Sequence, residues 1–406
     1  MTTRFHVTAG FVPLLDSALL VVAKEMGFAE EESVALSLVR EVSWATIRDR
    51  LAVSQFDAAH ILGPMPIACN LGLTPLAPRM IAPMALGLGG NAVTVSQGLW
   101  QKMADHGATA DLDPARNGAA LRKVVATRQG KPLRFAVVHP FSGHNYELRY
   151  WLAACGIDPD RDMELLILPP PEMPNALLLK AIDGYCVGEP WNTAGVLLGQ
   201  GHIATTKAAL WRSSPEKVLG VNARWADREP EALTALLRAL YKSALWCSSA
   251  ENLEALARLL SRPGYIDKPT EWLLPAITGN FQIGDGASHS LREFFVVQAK
   301  AATFPWKSHA LWFYSQMVRW GQVAHEPQNV NVARDTYRPD LYRAALTSLG
   351  VALPSANSKV EGSLVRETPV GSTGALTLGP DGFFDGTLFD PDKLDEYIAQ
   401  QQNQLA

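Results

Sequence analysis

Five polar residues stand at loop tips, each beside a glycine, a proline or an aromatic ring: Trp44 after Val-Ser, Asn91 after Gly-Gly, His144 after Ser-Gly, Glu189 in VGEP and Lys217 in PEKVLG. Together they offer an ammonium, an imidazole, an amide, an indole N–H and a carboxylate, a set suited to holding a small polar ligand. No nucleophile stands with a base in a recognisable pattern. GxSxG, HExxH, the kinase signatures and the phosphate-cradling GxxxxGK[ST] loop are all missing, and GLGGNA from Gly87 lacks the full dinucleotide spacing. Taken singly, each residue also has a structural reading. Trp44 could be a first-turn core aromatic, His144 a satisfied helix-start residue, Lys217 a solvated surface charge and Glu189 the partner of a nearby base.

The elements that must position these residues alternate. RFHVTAGFVP reads as a strand and LDSALLVVAKEMGF as a helix, with Asp16 or Ser17 as its cap and Gly27 as its stop. SVALSLVREV, then SWATIRDRLAVSQF capped by Ser43, then DAAHILGPMP continue the series. LRFAVVHP opens a second one through GHNYELRYW, MELLILPPP and GYCVGEPW. Tyr146, Tyr150 and Trp151 are expected to pack inward. The alternation predicts α/β lobes with largely parallel sheets. We place lobe 1 at residues 1–100 plus 206–406 and lobe 2 at 101–205. Beyond Val221 the period turns helical, as in the stripe of Leu233, Leu236, Leu237 and Leu240, and the last fifty residues read as a surface loop.

The chain has 406 residues, 48% of them hydrophobic, enough for two lobes. A net charge of -4 provides no cationic field for a phosphate backbone, so direct nucleic-acid binding is not expected. The four cysteines lack metal-ligand spacing and read as core thiols of a reducing compartment. No metal or cofactor is expected. The first apolar run is broken by Pro13 and Asp16, unlike a secretory signal, and no window is long enough for a membrane span. The expected location is cytoplasmic.

Six segments, among them SWATIRDRLAVSQFDAAHILGPMP, GHNYELRYWLAACGIDPDRDMELLILPPPEM, AIDGYCVGEPWN and PEKVLG, follow in the order that resembles the nitrate- and bicarbonate-binding proteins of ABC importers. The likeness runs from about Gly10 to the GPDGFFDGTLFDPD segment. It implies a two-lobed periplasmic-binding-protein-like fold of type II, with a ligand cleft between the lobes and extra C-terminal helices, and no enzymatic activity. It implies a ligand set of Trp44, His144, Pro170, Val187, Gly188, Glu189 and Lys217. Asn91 stands where the family's importers carry a glutamine, an amide one methylene longer. Nitrate or nitrite is the implied ligand, because bicarbonate-binding members carry an acidic residue at the place of Lys217. Glu189 is read as the group that orients His144 or Lys217.

The family-like strand starts close to Met1, which resembles the cytoplasmic nitrate/nitrite sensors of bacterial assimilation operons. Such a sensor sequesters an ANTAR-domain antiterminator, an RNA-binding protein, without ligand and releases it when nitrate or nitrite binds. The alternative is a periplasmic importer subunit without its signal peptide. A thiamine-precursor enzyme is a third reading, with Cys186 as its only candidate reactive group.

Overall fold

The computed structural model describes residues 5–371 and 374–403; Met1–Arg4, Ser372, Thr373 and Gln404–Ala406 lie outside the described residues. The strands in chain order are β1 (Phe5–Phe11), β2 (Val34–Arg40), β3 (Ala58–Leu62), β4 (Met80–Ala85), the short β5 (Leu88–Gly89), β6 (Asn91–Ser96), β7 (Leu133–Val137), β8 (Met163–Ile167), β9 (Gly184–Gly188), β10 (Gly201–Thr206) and β11 (Lys217–Asn222). They form two five-stranded sheets of matching design, β2-β1-β3-β11-β4 and β10-β6-β9-β7-β8. In each, three neighbouring strands are parallel (β2, β1 and β3; β8, β7 and β9). The other two run antiparallel to their neighbours. The two-lobed α/β architecture stands, with the correction that the sheets are mixed. The antiparallel strands are the ones that carry the chain between lobes, and a strand entering from the other lobe needs no helical crossover.

That exchange also moves the expected boundary. β6 hydrogen-bonds to β9 and β10, so the chain crosses before Asn91 and not after residue 100. It returns through residues 207–216 to β11, which lies between β3 and β4. The last fifty residues are also more than a surface loop. They contain the Leu394–Asn403 helix, and they bury Glu361, Asp381, Phe383, Phe389 and Tyr397. Phe383 stacks on Trp211 with centroids 4.5 Å apart, and Tyr150 donates to Asp385 at 2.8 Å, so this segment straps the second lobe to the rest. A hairpin, Asn280–Gly284 with Ala287–Ser290, lies in the region read as helical.

Local signals account for the elements beside the cleft. Ser43 accepts the Thr46 N–H at 3.2 Å and starts the Trp44–Ala52 helix. Ser142 accepts the Asn145 N–H at 3.0 Å and starts Gly143–Ala154. Gly27, at φ 81°, ends the turn after the Ala18–Glu25 helix as expected. Ser17 caps nothing; its hydroxyl donates to the Leu14 carbonyl at 2.7 Å. Tyr146, Tyr150 and Trp151 are buried. One apolar cluster spans the cleft, from Leu14 and Trp44 in the first lobe to Tyr146 and Val187 in the second. Among the described residues, no helix is long and apolar enough to cross a membrane.

Candidate functional site between the two sheets

The loop-tip residues converge where both sheets present the carboxyl ends of their parallel strands, the usual ligand position of open α/β sheets. Trp44 follows β2, His144 follows β7, Pro170 follows β8, and Glu189 follows β9. Asn91 opens β6 directly across from Gly188 at the end of β9, and Lys217 opens β11 across from Leu62 at the end of β3.

The centre of the site is a carboxylate the sequence reading passed over. Glu216 Oε1 accepts from Lys217 Nζ at 2.7 Å, and its Oε2 accepts from Asn91 Nδ2 at 2.7 Å and from Lys207 Nζ at 2.5 Å. His144 Nδ1 stands 3.4 Å from Oε1 without the alignment of a hydrogen bond. Lys217 is completed by Asp16 Oδ2 at 2.8 Å, Asp16 by His60 Nε2 at 2.8 Å, and Lys207 by Glu147 Oε1 at 2.5 Å. The network therefore contains Asp16, His60, Glu147, Lys207 and Glu216 besides the expected residues, all of them buried. Asp16 was read as a helix cap; it is instead a counter-charge to Lys217.

Burial works against every charge in this network, and the close pairs decide which charges persist. The ammonium groups of Lys207 and Lys217 hold Glu216 well below its ordinary value despite burial. Burial likewise opposes the charges of Asp16 and Lys217, yet Lys217 and His60 hold the Asp16 carboxyl down, and Asp16 and Glu216 hold Lys217 up. For Glu147 burial wins, raising it to about 8 even beside Lys207. Burial also lowers His144 to about 3, so its imidazole is neutral. Two carboxylates and two ammonium groups thus balance at neutral pH, and Lys217 is a buried, paired charge, not a solvated surface one.

The remaining expected residues divide. Trp44 is buried, its indole N–H has no partner, its ring meets His60 edge-on at 5.2 Å, and Lys217 Nζ lies 5.4 Å from its centroid. Gly188 leaves room at the centre: a Cβ there would lie 3.3 Å from Asn91 Oδ1 and 3.8 Å from Asp16 Oδ2. Pro170 and Val187 are buried, and the Val187 carbonyl accepts from Asn192 at 2.8 Å. Glu189 does not orient His144 or Lys217. Its Oε2 accepts the Thr193 N–H at 3.1 Å in the first turn of the Trp191–Leu197 helix, its Oε1 has no partner, and burial raises it to about 7. The helix offers an N–H that needs no counter-charge, which is why this carboxyl turns away from the lysines. Cys186 is buried and burial pushes its thiol far above the ordinary value, the opposite of a reactive cysteine. Among the described residues, no group of three or more His, Cys, Asp or Glu could hold a metal ion.

Residues 3–261 match the model of the NMT1-like family. The chain belongs to that family. Among its relatives, the nitrate/nitrite binding protein NrtA of Synechococcus elongatus is 33% identical over 97% of this chain and 85% of its own length. The nitrate import ATP-binding protein NrtC of Synechocystis is 35% identical over 86% of this chain, which spans only 51% of that relative. The crystal structure of the periplasmic nitrate-binding protein NrtA from Synechocystis superposes with a TM-score of 0.85 at 29% identity, covering 98% of both chains. This NMT1-like chain therefore shares with that protein both its lobes and its C-terminal elaboration.

Proposed function

We propose that the cleft binds nitrate or nitrite. The observation that carries this reading is the convergence of Lys217, Lys207, Asn91 and His144 on a single planar carboxylate, buried between the sheets. A nitrogen oxyanion has the same trigonal shape and unit charge. Its oxygens are weak bases, so it needs a flat slot with little water, fixed cations and a few directed donors. Lys217 and Lys207 supply charge, Asn91 an amide N–H, His144 an imidazole N–H and Trp44 a flat wall with an unpartnered indole N–H. Gly188 keeps the floor open, and Pro170, Val187 and Glu189 shape the second-lobe edge. The likeness to nitrate/nitrite binding proteins over nearly the whole chain supports the reading.

Isothermal titration with nitrate, nitrite, bicarbonate and sulfate tests it. Heat with either nitrogen oxyanion and none with sulfate is expected; silence with both nitrogen oxyanions overturns the reading.

What the binding serves is a second step of the same proposal. We read the chain as a cytoplasmic sensor that holds an ANTAR-domain antiterminator without ligand and releases it when nitrate or nitrite closes the lobes, controlling nitrate assimilation genes. The net charge of -4 supports a division of labour in which the partner, not this chain, touches RNA. Ligand must then favour the released state by a coupling of about 1–3 kcal/mol. The alternative, a nitrate-binding subunit of an ABC importer, is favoured by the match to NrtA along 97% of the chain. Co-purification of an ANTAR protein that dissociates on adding nitrate separates the two; failure to find such a partner leaves the importer reading in its place.

A further inference from the structure

The Glu216 carboxylate sits where a small anion would be expected. It lies against Gly143, the first residue of the Gly143–Ala154 helix, so closely that a Cβ on Gly143 would fall 2.3 Å from Oε2. That is the end of a helix to which anions are drawn, and this helix has twelve residues behind it. Donors from both lobes close on the two oxygens: Lys217 from the first sheet, Asn91 and Lys207 from the second sheet and its exit. Two further groups point to a ligand beyond Glu216 itself. The fully buried His144 has no hydrogen-bonded partner at either ring nitrogen, and neither has the Trp44 indole.

We propose that Glu216 is a built-in competitor, a resident anion that fills the oxyanion position of the empty cleft and must swing aside when ligand enters. This rests on the oxyanion reading of the cleft. A carboxylate and nitrite share the bent O–X–O shape, and nitrate adds only a third oxygen in the same plane. The lysines are held independently of Glu216, Lys217 by Asp16 at 2.8 Å and Lys207 by the Pro215 carbonyl and Glu147, both at 2.5 Å. They stay in place when Glu216 leaves. The Glu216 main chain is tied down, its carbonyl accepting the Gly63 N–H at 2.8 Å, so the exchange is a side-chain rotation. The charge balance gives the device its purpose. With Asp16 and Glu216 ionised against two ammonium groups, the buried cluster is neutral, and an added monoanion leaves it with an uncompensated negative charge unless one carboxylate withdraws. Glu216 thereby sets a floor on the ligand concentration the protein answers to, and the rotation gives occupancy a mechanical readout at the helix start.

Titration calorimetry on the full chain compares wild type with Glu216→Gln, which keeps the shape and removes the charge, and Glu216→Asp, whose carboxylate is one methylene too short to reach Gly143. Both variants are expected to bind nitrate and nitrite at least tenfold more tightly than wild type. Unchanged or weaker binding in the folded variants, with wild type binding normally, overturns the competitor role and makes Glu216 a brace for the lysines. Silence from wild type and variants together overturns the oxyanion reading and this inference with it. If neither variant folds, the crystal structure of wild type with nitrate decides. Glu216 is expected away from Gly143 and Asn91, and a carboxylate still bonded to Asn91 overturns the proposal.

Discussion

At the scale of single residues, the cleft shows how a buried cation acquires its value. Lys217 is fully enclosed, and its charge persists because Asp16 and Glu216 stand within hydrogen-bond distance. Lys217→Ala removes that charge and leaves both carboxylates facing each other without it. Nitrate affinity is expected to fall more than tenfold, since a charge-assisted bond contributes about 1.5–3 kcal/mol. The thermal midpoint should fall as well, because breaking a buried pair costs about 3–5 kcal/mol. His144→Ala should weaken binding by a similar factor without orphaning a charge, so its midpoint should move less. Calorimetry and thermal unfolding on both variants check these expectations, and retained affinity in either removes that residue from direct contact. Glu189→Gln is the contrasting case. Its carboxyl holds the Thr193 N–H and is raised to about 7, so the amide keeps the acceptor, and nitrate affinity should change by less than about threefold. A larger loss would place Glu189 at the ligand after all. His144, Lys217 and Glu189 were legible in the sequence because they sit in punctuated loop-tip motifs. Asp16, Glu147 and Lys207 were not, because no local pattern shows which charge each will meet: Asp16 pairs with Lys217 and Glu147 with Lys207 only once distant stretches of chain come together.

At the scale of elements, capped helix starts aim the site. Ser43 ends the loop after β2 and fixes the first turn that carries Trp44. Ser43→Ala removes the acceptor of the Thr46 N–H and is expected to cost about 1 kcal/mol of stability. Because Trp44 is the next residue, the same variant should also loosen nitrate binding by a few fold. Denaturant unfolding and titration of one preparation measure both, and full stability would show that the turn is held by its apolar face alone. These caps and the strand–helix alternation could be read locally, since each depends on neighbours within four residues. The interleaving of β6 and β11 could not. Asn91–Ser96 looks the same as a strand whichever sheet it joins, and only its pairing with Gly184–Gly188 places it in the second lobe.

At the scale of the whole molecule, buried titratable groups set the pH range of stability. Burial lowers His139 and His202 to about 4 and His144 to about 3, and it also lowers His60 and His309 against the pull of their carboxylate partners. The unfolded chain takes up protons at His139, His144 and His202 below about pH 6.5 while the folded chain leaves them neutral down to about pH 4, and His60 and His309 act in the same direction, so stability falls as pH drops through that window. Glu147, at about 8, and Glu189, at about 7, work the other way. Folded, they hold protons that the unfolded chain releases above its ordinary value of 4.5, so stability declines as pH rises towards 8. Between pH 4.5 and 6.5 His139, His144 and His202 outnumber the two carboxyls, with His60 and His309 adding in the same direction; above that Glu147 and Glu189 carry the decline. The thermal midpoint is therefore expected to peak near pH 6.5 and to fall more steeply on the acid side. A midpoint that climbs steadily from pH 6.5 to 9 would contradict the buried, protonated state of Glu147. The amino-acid sequence by itself determined the α/β alternation, the capped helix starts and the loop-tip residues beside the cleft, because periodicity, capping and turn chemistry act over a few neighbours. Only the tertiary structure decided that Glu216 occupies the centre, that Lys217 and Lys207 are both neutralised and that Glu189 turns away. Those outcomes depend on which charges burial forces together, and the residues concerned come from separate strands, loops and helices of both lobes.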